Sequence, residues 1–396
     1  MRIAMVSLDD GPAGHEGPDR PAALSPAGPH VAALATAMAE AGHAVTVYVR
    51  ATAPGLDPRA TAGPGLEVVR LPAGPPRELA SNDLLEHLGE FGGHLAAHWT
   101  RHRPDVVHAH YWSAGVASVL AAREAKVPVV QTFQALGAIG GRRGVPAQRP
   151  KLERLVGREA VRVAATSSTE ADELIRRGVS RAMISVVPCG VDPERFTPQG
   201  PAAERGTRYR LVSVGDLVPH KGFDTTVRAL RALPETELVI AGGPAPAELP
   251  HDPEARRLFA LARREGVTDR VHLLGRVADA ELPALLRSAD ALVCCPSAEP
   301  LGLVVLEAMA CEVAVVASEV GGLVDMVIDG VTGRLVPPRD PDSLARALAP
   351  LLADPVTAQS YGAAGRDRVR ARYSWDRVAE DTVRVYRQAV GEFAAL

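Results

Sequence analysis

Short apolar runs alternate with helical patterns along the whole of this 396-residue chain. The first half holds candidate strands rich in valine and isoleucine: Ile3–Leu8, Val45–Val49, Val68–Leu71, Val106–His108, Val129–Thr132, Val163–Thr166 and Ile184–Val187. The second half holds another set: Arg210–Val214, Glu237–Ala241, Val271–Leu274, Ala291–Cys294 and Val313–Ala317. Because strands that alternate with helices build βαβ units, the pattern predicts an α/β protein with parallel sheets.

The chain is too long for one ordinary core, and its 46% hydrophobic content predicts two domains. The polar, turn-rich segment 197–207 is interpreted as the linker. We therefore expect a first domain at 1–197 and a second at 208–375. An amphipathic helix is predicted from Trp375 to Leu396.

The formal net charge of −3 gives no reason to expect nucleic acid or an anionic membrane as a partner. The amino-terminal segment is typical of a strand rather than a signal peptide, and no apolar run has transmembrane length. The four cysteines are interpreted as small buried hydrophobes of a reducing compartment. We expect a cytoplasmic monomer or homodimer without integral membrane association. The predicted helix Asn82–Arg103 carries Asp83, Glu86 and Glu90 and has basic residues only at its end, so it lacks the basic amphipathic face of a membrane-surface helix.

Two glutamates eight residues apart, Glu299 and Glu307, stand between two apolar runs. The first is predicted on a loop at the carboxyl end of a strand, and the second inside a helix that begins near Gly302. Ligands of open α/β sheets bind at the carboxyl ends of strands, and a helix N-terminus suits a phosphate there. Two acids that bracket a phosphate site can each accept hydrogen bonds from hydroxyls, so the pattern predicts a nucleotide-sugar site.

Lys221 is one of only three lysines among 44 basic residues, and it precedes a glycine. A lysine at this position, in a chain that otherwise prefers arginine, indicates that a compact ammonium is needed as a point charge for a phosphate oxygen. His108 and His110 lie two residues apart at the end of a strand, so their side chains share a face. Such a pair can bind zinc, but no further ligands follow at convincing spacing, and no metal site is predicted. The Asp340-Pro341-Asp342 segment precedes a helical run and is interpreted as a helix cap.

Four segments resemble the family-4 retaining glycosyltransferases with the GT-B fold. Glu299 to Glu307 matches the E-x7-E signature, and 186–196 resembles the P-x-G-V-D…F segment. The segment 214–222 resembles the V-G-R-L…K-G loop, and 108–112 is similar to the H-x-H segment. The resemblance covers nearly the whole chain. It implies an α/β protein of two Rossmann-like, doubly wound domains that face a central cleft. The first domain would bind the acceptor and the second the nucleotide-sugar donor. The carboxyl-terminal helix, residues 376–396, would cross back to the first domain.

The same resemblance implies roles for individual residues. Its catalytic residues would be His110, Lys221 and Glu299, with Glu299 on the sugar hydroxyls. The remaining donor-binding positions would be Gly28, Asp216, Arg276, Gly302, Leu303, Val304 and Glu307, with Glu307 on the ribose and the N–H groups of Leu303 and Val304 on the diphosphate. The acceptor-binding candidates are His108, Trp112 and Thr132, with a structural role for His108 as the alternative. Arg142 and Arg143 are added because they lie on a glycine-rich loop, where they either hold an anionic acceptor or are solvated.

Asp216 departs from the family pattern, which usually has an arginine there. An acid removes one positive charge beside the leaving diphosphate, and charges about 4–6 Å apart in a partly buried site interact by several kcal/mol. Four outcomes are open. Another base substitutes (Arg276, Arg334 or His220), the donor binds differently, activity is reduced, or Asp216 points away from the site.

These observations predict transfer of a sugar from a nucleotide diphosphate sugar, by resemblance a UDP-sugar, to a hydroxyl of a soluble small molecule. Aminocyclitols, inositol derivatives and secondary metabolites are the acceptors considered. The expected mechanism retains the anomeric configuration by same-face substitution, with no metal and no cofactor besides the nucleotide sugar as co-substrate. Two alternatives are a nucleotide-sugar-binding partner subunit without activity, and a GT-B epimerase or pseudo-glycosyltransferase.

Overall fold

The computed structural model describes residues 1–8, 24, 27–136 and 147–395. The chain divides into two compact units. Unit 1 is Met1–Gly190 with Trp375–Leu396, and unit 2 is Val191–Ser374. The boundary therefore precedes the segment 197–207 that was interpreted as the linker.

That segment packs on unit 2 instead. The guanidinium of Arg287 donates to the carbonyl oxygens of Thr197 and Pro201 at 3.1 and 2.8 Å. The backbone N–H of Ala203 donates to the carbonyl of Ala284 at 3.0 Å. The linker interpretation was wrong because polar composition does not reveal that a distant arginine satisfies the backbone of the segment.

Unit 1 contains an eight-stranded sheet in the order β3-β4-β2-β1-β5-β6-β7-β8. Every pairing is parallel except that of β3 with β4. The antiparallel edge strand β3 was not predicted. The strands are β1 (Arg2–Ser7), β2 (Ala44–Arg50), β3 (Arg59–Gly63), β4 (Leu66–Leu71), β5 (Val106–His110), β6 (Val129–Thr132), β7 (Arg162–Ala165) and β8 (Ile184–Val186).

The helices of unit 1 cover both faces of this sheet with apolar side chains, which form two buried clusters. The predicted helix 82–103 consists of two helices with a 3-10 turn at Leu85–His87 between them. In the described part of unit 1 the helices are α1 (Pro29–Glu40), α2 (Ser81–Leu84), α3 (Leu88–Arg101), α4 (Tyr111–Ala125), α5 (Arg149–Glu159), α6 (Ser168–Arg176) and α14 (Trp375–Ala394).

Unit 2 contains a six-stranded parallel sheet in the order β11-β10-β9-β12-β13-β14. Its interior strands are apolar on both faces, as expected for a parallel sheet covered by helices. The short edge strand β14 was not predicted. The strands are β9 (Tyr209–Val214), β10 (Thr236–Ala241), β11 (Val271–Gly275), β12 (Ala291–Cys294), β13 (Val315–Ser318) and β14 (Arg334–Val336).

Helices also lie on both faces of the second sheet and bury two further apolar clusters. Asp340 caps α12, because its carboxylate accepts from the N–H of Ser343 at 2.9 Å, as predicted. The helices of unit 2 are α7 (Phe223–Ala229), α8 (Pro253–Glu265), α9 (Leu282–Arg287), α10 (Leu303–Ala310), α11 (Leu323–Met326), α12 (Pro341–Ala353) and α13 (Pro355–Arg372).

With residues 9–23, 25–26, 137–146 and 396 set aside, the chain has no helix that combines the length and the apolarity needed to cross a membrane.

Candidate active site

Two neighbouring strands of unit 2, β9 and β12, carry Lys221 and Glu299 on the loops at their carboxyl ends. The Nζ of Lys221 lies 2.6 Å from Oε2 of Glu299. The side chain of Glu299 is only 9% exposed and that of Lys221 is 25% exposed. The pair is therefore largely shielded from water, at the edge of the sheet where α/β proteins bind ligands.

The Lys221 loop fits tightly against the Glu299 loop. Gly222 follows the lysine with φ +73°, and a β-carbon there would lie 1.9 Å from the carbonyl oxygen of Cys295. The N–H of Ser297 donates to the carbonyl of His220 at 2.8 Å. Only glycine permits both this backbone conformation and this approach.

The loop after β13 holds the Glu299 loop from the other side. The hydroxyl of Ser318 donates to the carbonyl of Pro296 at 2.7 Å, and the N–H of Gly322 donates to that of Glu299 at 3.1 Å. A β-carbon on Gly321 would lie 1.9 Å from the same Glu299 oxygen. Backbone contacts on two sides therefore fix the position of Glu299.

The N-terminus of α10 adjoins this ion pair. Gly302 caps the helix, and its N–H donates to Oε1 of Glu299 at 3.3 Å. The N–H groups of Leu303 and Val304 belong to the first turn, where a helix provides no intrahelical acceptor. Glu307 lies in the next turn and is 7% exposed. The predicted donor-binding residues of this segment thus share one short stretch of loop and helix.

The pKa of Lys221 is raised above its usual value. Burial acts to lower it, but the Glu299 carboxylate outweighs burial, with smaller contributions from Cys294 and Asp216. Lys221 is therefore a fixed cation at neutral pH. Asp216 is exposed, and its charge makes the smallest of these contributions to the pKa of Lys221.

The bases considered as substitutes for an arginine at 216 lie in different places. Arg276 is exposed just beyond β11, two strands from β9 and so about 10 Å across the sheet. Arg334 begins β14, at the opposite edge, and pairs with Asp329 at 2.9 Å. Of these two arginines, only Arg276 lies at the carboxyl ends of the strands.

Unit 1 has a cluster of histidine rings at the carboxyl end of β5. The ring centroid of His110 lies 4.0 Å from that of His108 and 5.6 Å from that of His30. Burial lowers the pKa of His108 to about 3 and that of His30 to about 4, and it holds the pKa of His110 well below its usual value. Among the described residues, neither ring nitrogen of His110 has a hydrogen-bond partner. All three rings are neutral near pH 7.

Three predicted acceptor contacts are instead part of the interior of unit 1. His108 is 1% exposed and bonds with both ring nitrogens, to Tyr386 and Thr132. The Thr132 hydroxyl donates to the carbonyl of Ala164 at 3.0 Å. Trp112 is fully buried in an apolar cluster. All three side chains are buried, and those of His108 and Thr132 make their hydrogen bonds within unit 1.

The remaining predicted residues are Arg142, Arg143 and Gly28. Arg142 and Arg143 lie outside the described residues. Gly28 is buried and caps α1, whose first residue is Pro29. It therefore stands beside His30, which is one residue further along α1 and belongs to the histidine cluster.

Sequence reasoning missed several polar residues of unit 1. Tyr111, at the start of α4, has φ +72°, which is unusual for a residue with a side chain. The guanidinium of Arg149 stacks on its ring and donates to its hydroxyl at 2.7 Å, and also pairs with the buried Glu153 at 2.6 Å. Tyrosine is not a residue that favours positive φ, so the sequence gives no sign of this conformation.

Metal ligands and thiols were also considered. The described residues contain no grouping of three or more His, Cys, Asp or Glu side chains arranged to hold a metal ion. The four cysteines are free thiols, and burial raises the pKa of Cys189, Cys294 and Cys311 to about 12.

Two α/β units with parallel sheets, each with polar side chains at the carboxyl ends of its strands, are the architecture of the GT-B glycosyltransferases. The chain belongs to the family-4 glycosyltransferases of this class and is an enzyme that transfers sugars. Residues 198–368 match the family model described as glycosyl transferases group 1, and residues 27–190 match the glycosyl transferase 4-like domain.

Relatives with assigned names are similar along their whole length. A D-inositol 3-phosphate glycosyltransferase of Xylanimonas cellulosilytica is 35% identical over 98% of this chain and 97% of the relative. One from Kribbella flavida is also 35% identical, over 100% of this chain and 97% of the relative. Among solved structures, sucrose-phosphate synthase from Thermosynechococcus elongatus has a TM-score of 0.80 and 30% identity, and the match covers 100% of this chain and 99% of that one.

Proposed function

We propose that this enzyme transfers a sugar from a UDP-sugar to a hydroxyl of an inositol-type polyol, with retention of the anomeric configuration and without a metal ion. The observation that carries the proposal is the shielded Lys221–Glu299 ion pair at the N-terminus of α10. It combines a cation for a phosphate with an acceptor for sugar hydroxyls.

The leaving diphosphate is the charge that this site stabilises. The ammonium of Lys221 has three donors, and Glu299 takes one of them. The others are available for phosphate oxygens, while the first-turn N–H groups of α10 and its dipole add further positive potential. Preorganised charge of this kind acts on the leaving group in the transition state, so protein groups can do the work of a metal.

Glu299 is suited to hold the sugar rather than to attack it. Its two oxygens already accept from Lys221 and from the N–H of Gly302. Hydrogen bonds of this kind lower the nucleophilicity of a carboxylate but leave lone pairs for sugar hydroxyls. Retention then proceeds by same-face substitution, in which the leaving phosphate takes the proton of the acceptor. Glu307 binds the ribose, and the neutral His110 bonds a substrate hydroxyl.

The acceptor class is supported by the names of the relatives. The two relatives described above are named for D-inositol 3-phosphate, and the similarity extends over both units. This support favours an inositol derivative over the aminocyclitols and secondary metabolites that the sequence left open. Whether the acceptor carries a phosphate is decided by comparing inositol with its phosphates.

The first experiment is a thermal-shift panel with UDP, GDP, ADP and dTDP. A ligand at about 100 times its dissociation constant stabilises a protein by roughly 2.7 kcal/mol. Of the four nucleotides, we expect only UDP to raise the melting temperature of the wild-type enzyme. We expect the Glu307→Ala variant to show no such rise. A selective rise with another nucleotide would overturn the UDP assignment.

The second experiment measures transfer. UDP-sugars are incubated with inositol or an inositol phosphate, with and without EDTA, and the anomeric proton coupling of the product is read by NMR. We expect product of unchanged anomeric configuration and an EDTA-insensitive rate. Inversion, or loss of activity with EDTA, would contradict the mechanism. Consumption of donor without an acceptor would favour the epimerase alternative.

A further inference from the structure

Helix α14 brings one hydroxyl into the histidine cluster of unit 1. The hydroxyl oxygen of Tyr386 lies 2.7 Å from Nδ1 of His108, and both side chains are buried. On the opposite side of the ring, Nε2 of His108 lies 2.9 Å from Oγ1 of Thr132. The His108 imidazole is thus held at both ends, by a helix and by a neighbouring strand.

The directions of these two hydrogen bonds follow from a third, which the Thr132 hydroxyl makes to a backbone carbonyl. The hydroxyl of Thr132 has one proton, and it donates that proton to the carbonyl of Ala164 at 3.0 Å. Its oxygen therefore accepts from His108, so the proton of the neutral imidazole is on Nε2. Nδ1 is then an acceptor, and the hydroxyl of Tyr386 must donate to it. A single tautomer of His108 satisfies all three bonds.

This fixed ring forms one wall of the space that His110 occupies. The two imidazole centroids are 4.0 Å apart at an interplanar angle of 42°. His30 borders His110 at 5.6 Å and itself packs edge-on against Trp375 at 5.3 Å. Since His110 has no hydrogen bond of its own among the described residues, its neighbours alone set its orientation.

We propose that Tyr386 is a positioning residue for His110 and that it acts through the fixed imidazole of His108. This inference rests on the proposed role of His110 in the transfer reaction. Tyr386 orients the side chain without touching substrate. Helix α14 is therefore functional as well as structural, because it supplies the donor that selects the tautomer of His108.

Tyr386→Phe removes only the hydroxyl and keeps the buried ring. His108 then loses the donor to Nδ1 and can adopt the other tautomer, with the Thr132 hydroxyl turned toward Nε2. We expect kcat to fall about tenfold while KM for the donor changes less than about twofold, because the groups around the nucleotide are unaltered.

Tyr48→Phe is the matched control. Tyr48 is also a buried tyrosine of unit 1, and its hydroxyl bonds Nδ1 of a histidine, His98, at 3.0 Å. The Tyr48→Phe variant therefore removes the same kind of hydrogen bond from a different part of unit 1. We expect kcat to be unchanged, and an equal loss in both variants would overturn the proposal, since it would mark a general effect on stability.

A double variant tests whether the hydroxyls of Tyr386 and Thr132 both act through the imidazole ring of His108. Thr132→Val alone should lower kcat, and Tyr386→Phe/Thr132→Val should lower it no further than the worse single variant. Fully multiplicative losses would overturn the proposal, because they would mean that the two hydroxyls act independently.

A spectroscopic measurement separates this inference from the transfer reaction. The protein is labelled with 15N-histidine, and signals are assigned with His108→Gln and His110→Gln. In the wild type, the Nε2 shift of His108 should be that of a protonated ring nitrogen and the Nδ1 shift that of a bare one. In Tyr386→Phe, the ring signals of both His108 and His110 should move, and in Tyr48→Phe neither should. Unmoved His110 signals would overturn the inference, whereas moved signals in an enzyme without transfer activity would count only against the proposed function.

Discussion

Lys221 and Glu299 are 78 residues apart in sequence, yet their side chains form a hydrogen-bonded ion pair of 2.6 Å. Each follows a different strand, and the two strands, β9 and β12, are hydrogen-bonded neighbours. The pairing of strands therefore determines the position of the ammonium relative to the carboxylate.

Replacement of Lys221 by alanine should remove most of the activity. The variant loses the cation beside the leaving group, and loss of one preorganised electrostatic contact typically lowers kcat by about 10²–10³-fold. Steady-state transfer rates and a far-UV CD spectrum, which should be unchanged, check this expectation. Lys151→Ala is the matched control, because Lys151 is an exposed lysine of unit 1. A Lys221→Ala enzyme with near-normal kcat would remove the lysine from the mechanism.

Asp216→Asn should strengthen nucleotide binding. The carboxylate of Asp216 acts on Lys221 and opposes the negative diphosphate, so its neutralisation raises the positive potential at the site. Since the residue is exposed, we expect a decrease of about three- to tenfold in the Kd for UDP at low salt and a smaller one at high salt. Titration calorimetry at two salt concentrations measures both. Asp342→Asn makes the same charge change at an exposed position on α12, and an equal effect there would make the Asp216 result nonspecific.

Gly321→Ala should displace the Glu299 loop. The new β-carbon would lie 1.9 Å from the Glu299 carbonyl oxygen, in a backbone conformation with φ +54°. Gly330→Ala has comparable backbone strain, with φ +73°, but no atom within 4 Å of the new carbon. The strain alone costs about 1–2 kcal/mol in either variant, and the collision adds about 1–3 kcal/mol at Gly321. Urea unfolding and kcat should therefore both distinguish the two, and equal losses would contradict the contact.

The histidine cluster should make unfolding pH-dependent. The folded-state pKa of His108 is about 3 and that of His30 about 4, below the usual 6.5. Below pH 6.5 the unfolded chain binds protons that the folded protein does not, so stability is lost as the pH falls from 6.5 toward about 3. Each such histidine contributes a slope of about 1.4 kcal/mol per pH unit inside that window.

The variant His108→Gln isolates this contribution. Urea unfolding of the wild type and the variant at pH 7, 6, 5 and 4 gives the free energy of unfolding for each. The variant is less stable at pH 7, but its stability should decline less steeply as the pH falls. Parallel curves would show that His108 is protonated in the folded protein.

The sequence predicted closely the interior strands and the loop and helix that contain Glu299 and Glu307, for a physical reason. Strands such as Ala291–Cys294 and Val315–Ser318 are almost wholly buried, so their apolar runs are continuous. The residues of the E-x7-E segment are consecutive, so the position of one strand and one helix locates them all. Edge strands lack this signal, which is why β3, with its partly exposed alternation, was missed.

The surroundings of the residues near the end of β5 were predicted less well because their contacts are between distant segments. His108 and Thr132 have polar side chains at strand ends, which favours a surface role, but each is satisfied internally by residues far along the chain. Trp112 was assigned to a site because of its neighbours, and the structure assigns it to the core. Only the tertiary pairing distinguishes these outcomes.

Helix α14 has a consequence for biosynthesis. His108 and its partner Tyr386 are 278 residues apart, and all of unit 2 is encoded between them. At about 5–20 residues per second, the ribosome makes Tyr386 roughly 15–55 s after His108. During that interval the sheet of unit 1 lacks one of its covering helices, while every residue of unit 2 is already synthesised before Tyr386 appears. The unit whose synthesis begins first is therefore the one whose synthesis is completed last, and until then the apolar side chains that α14 covers lack their partner helix.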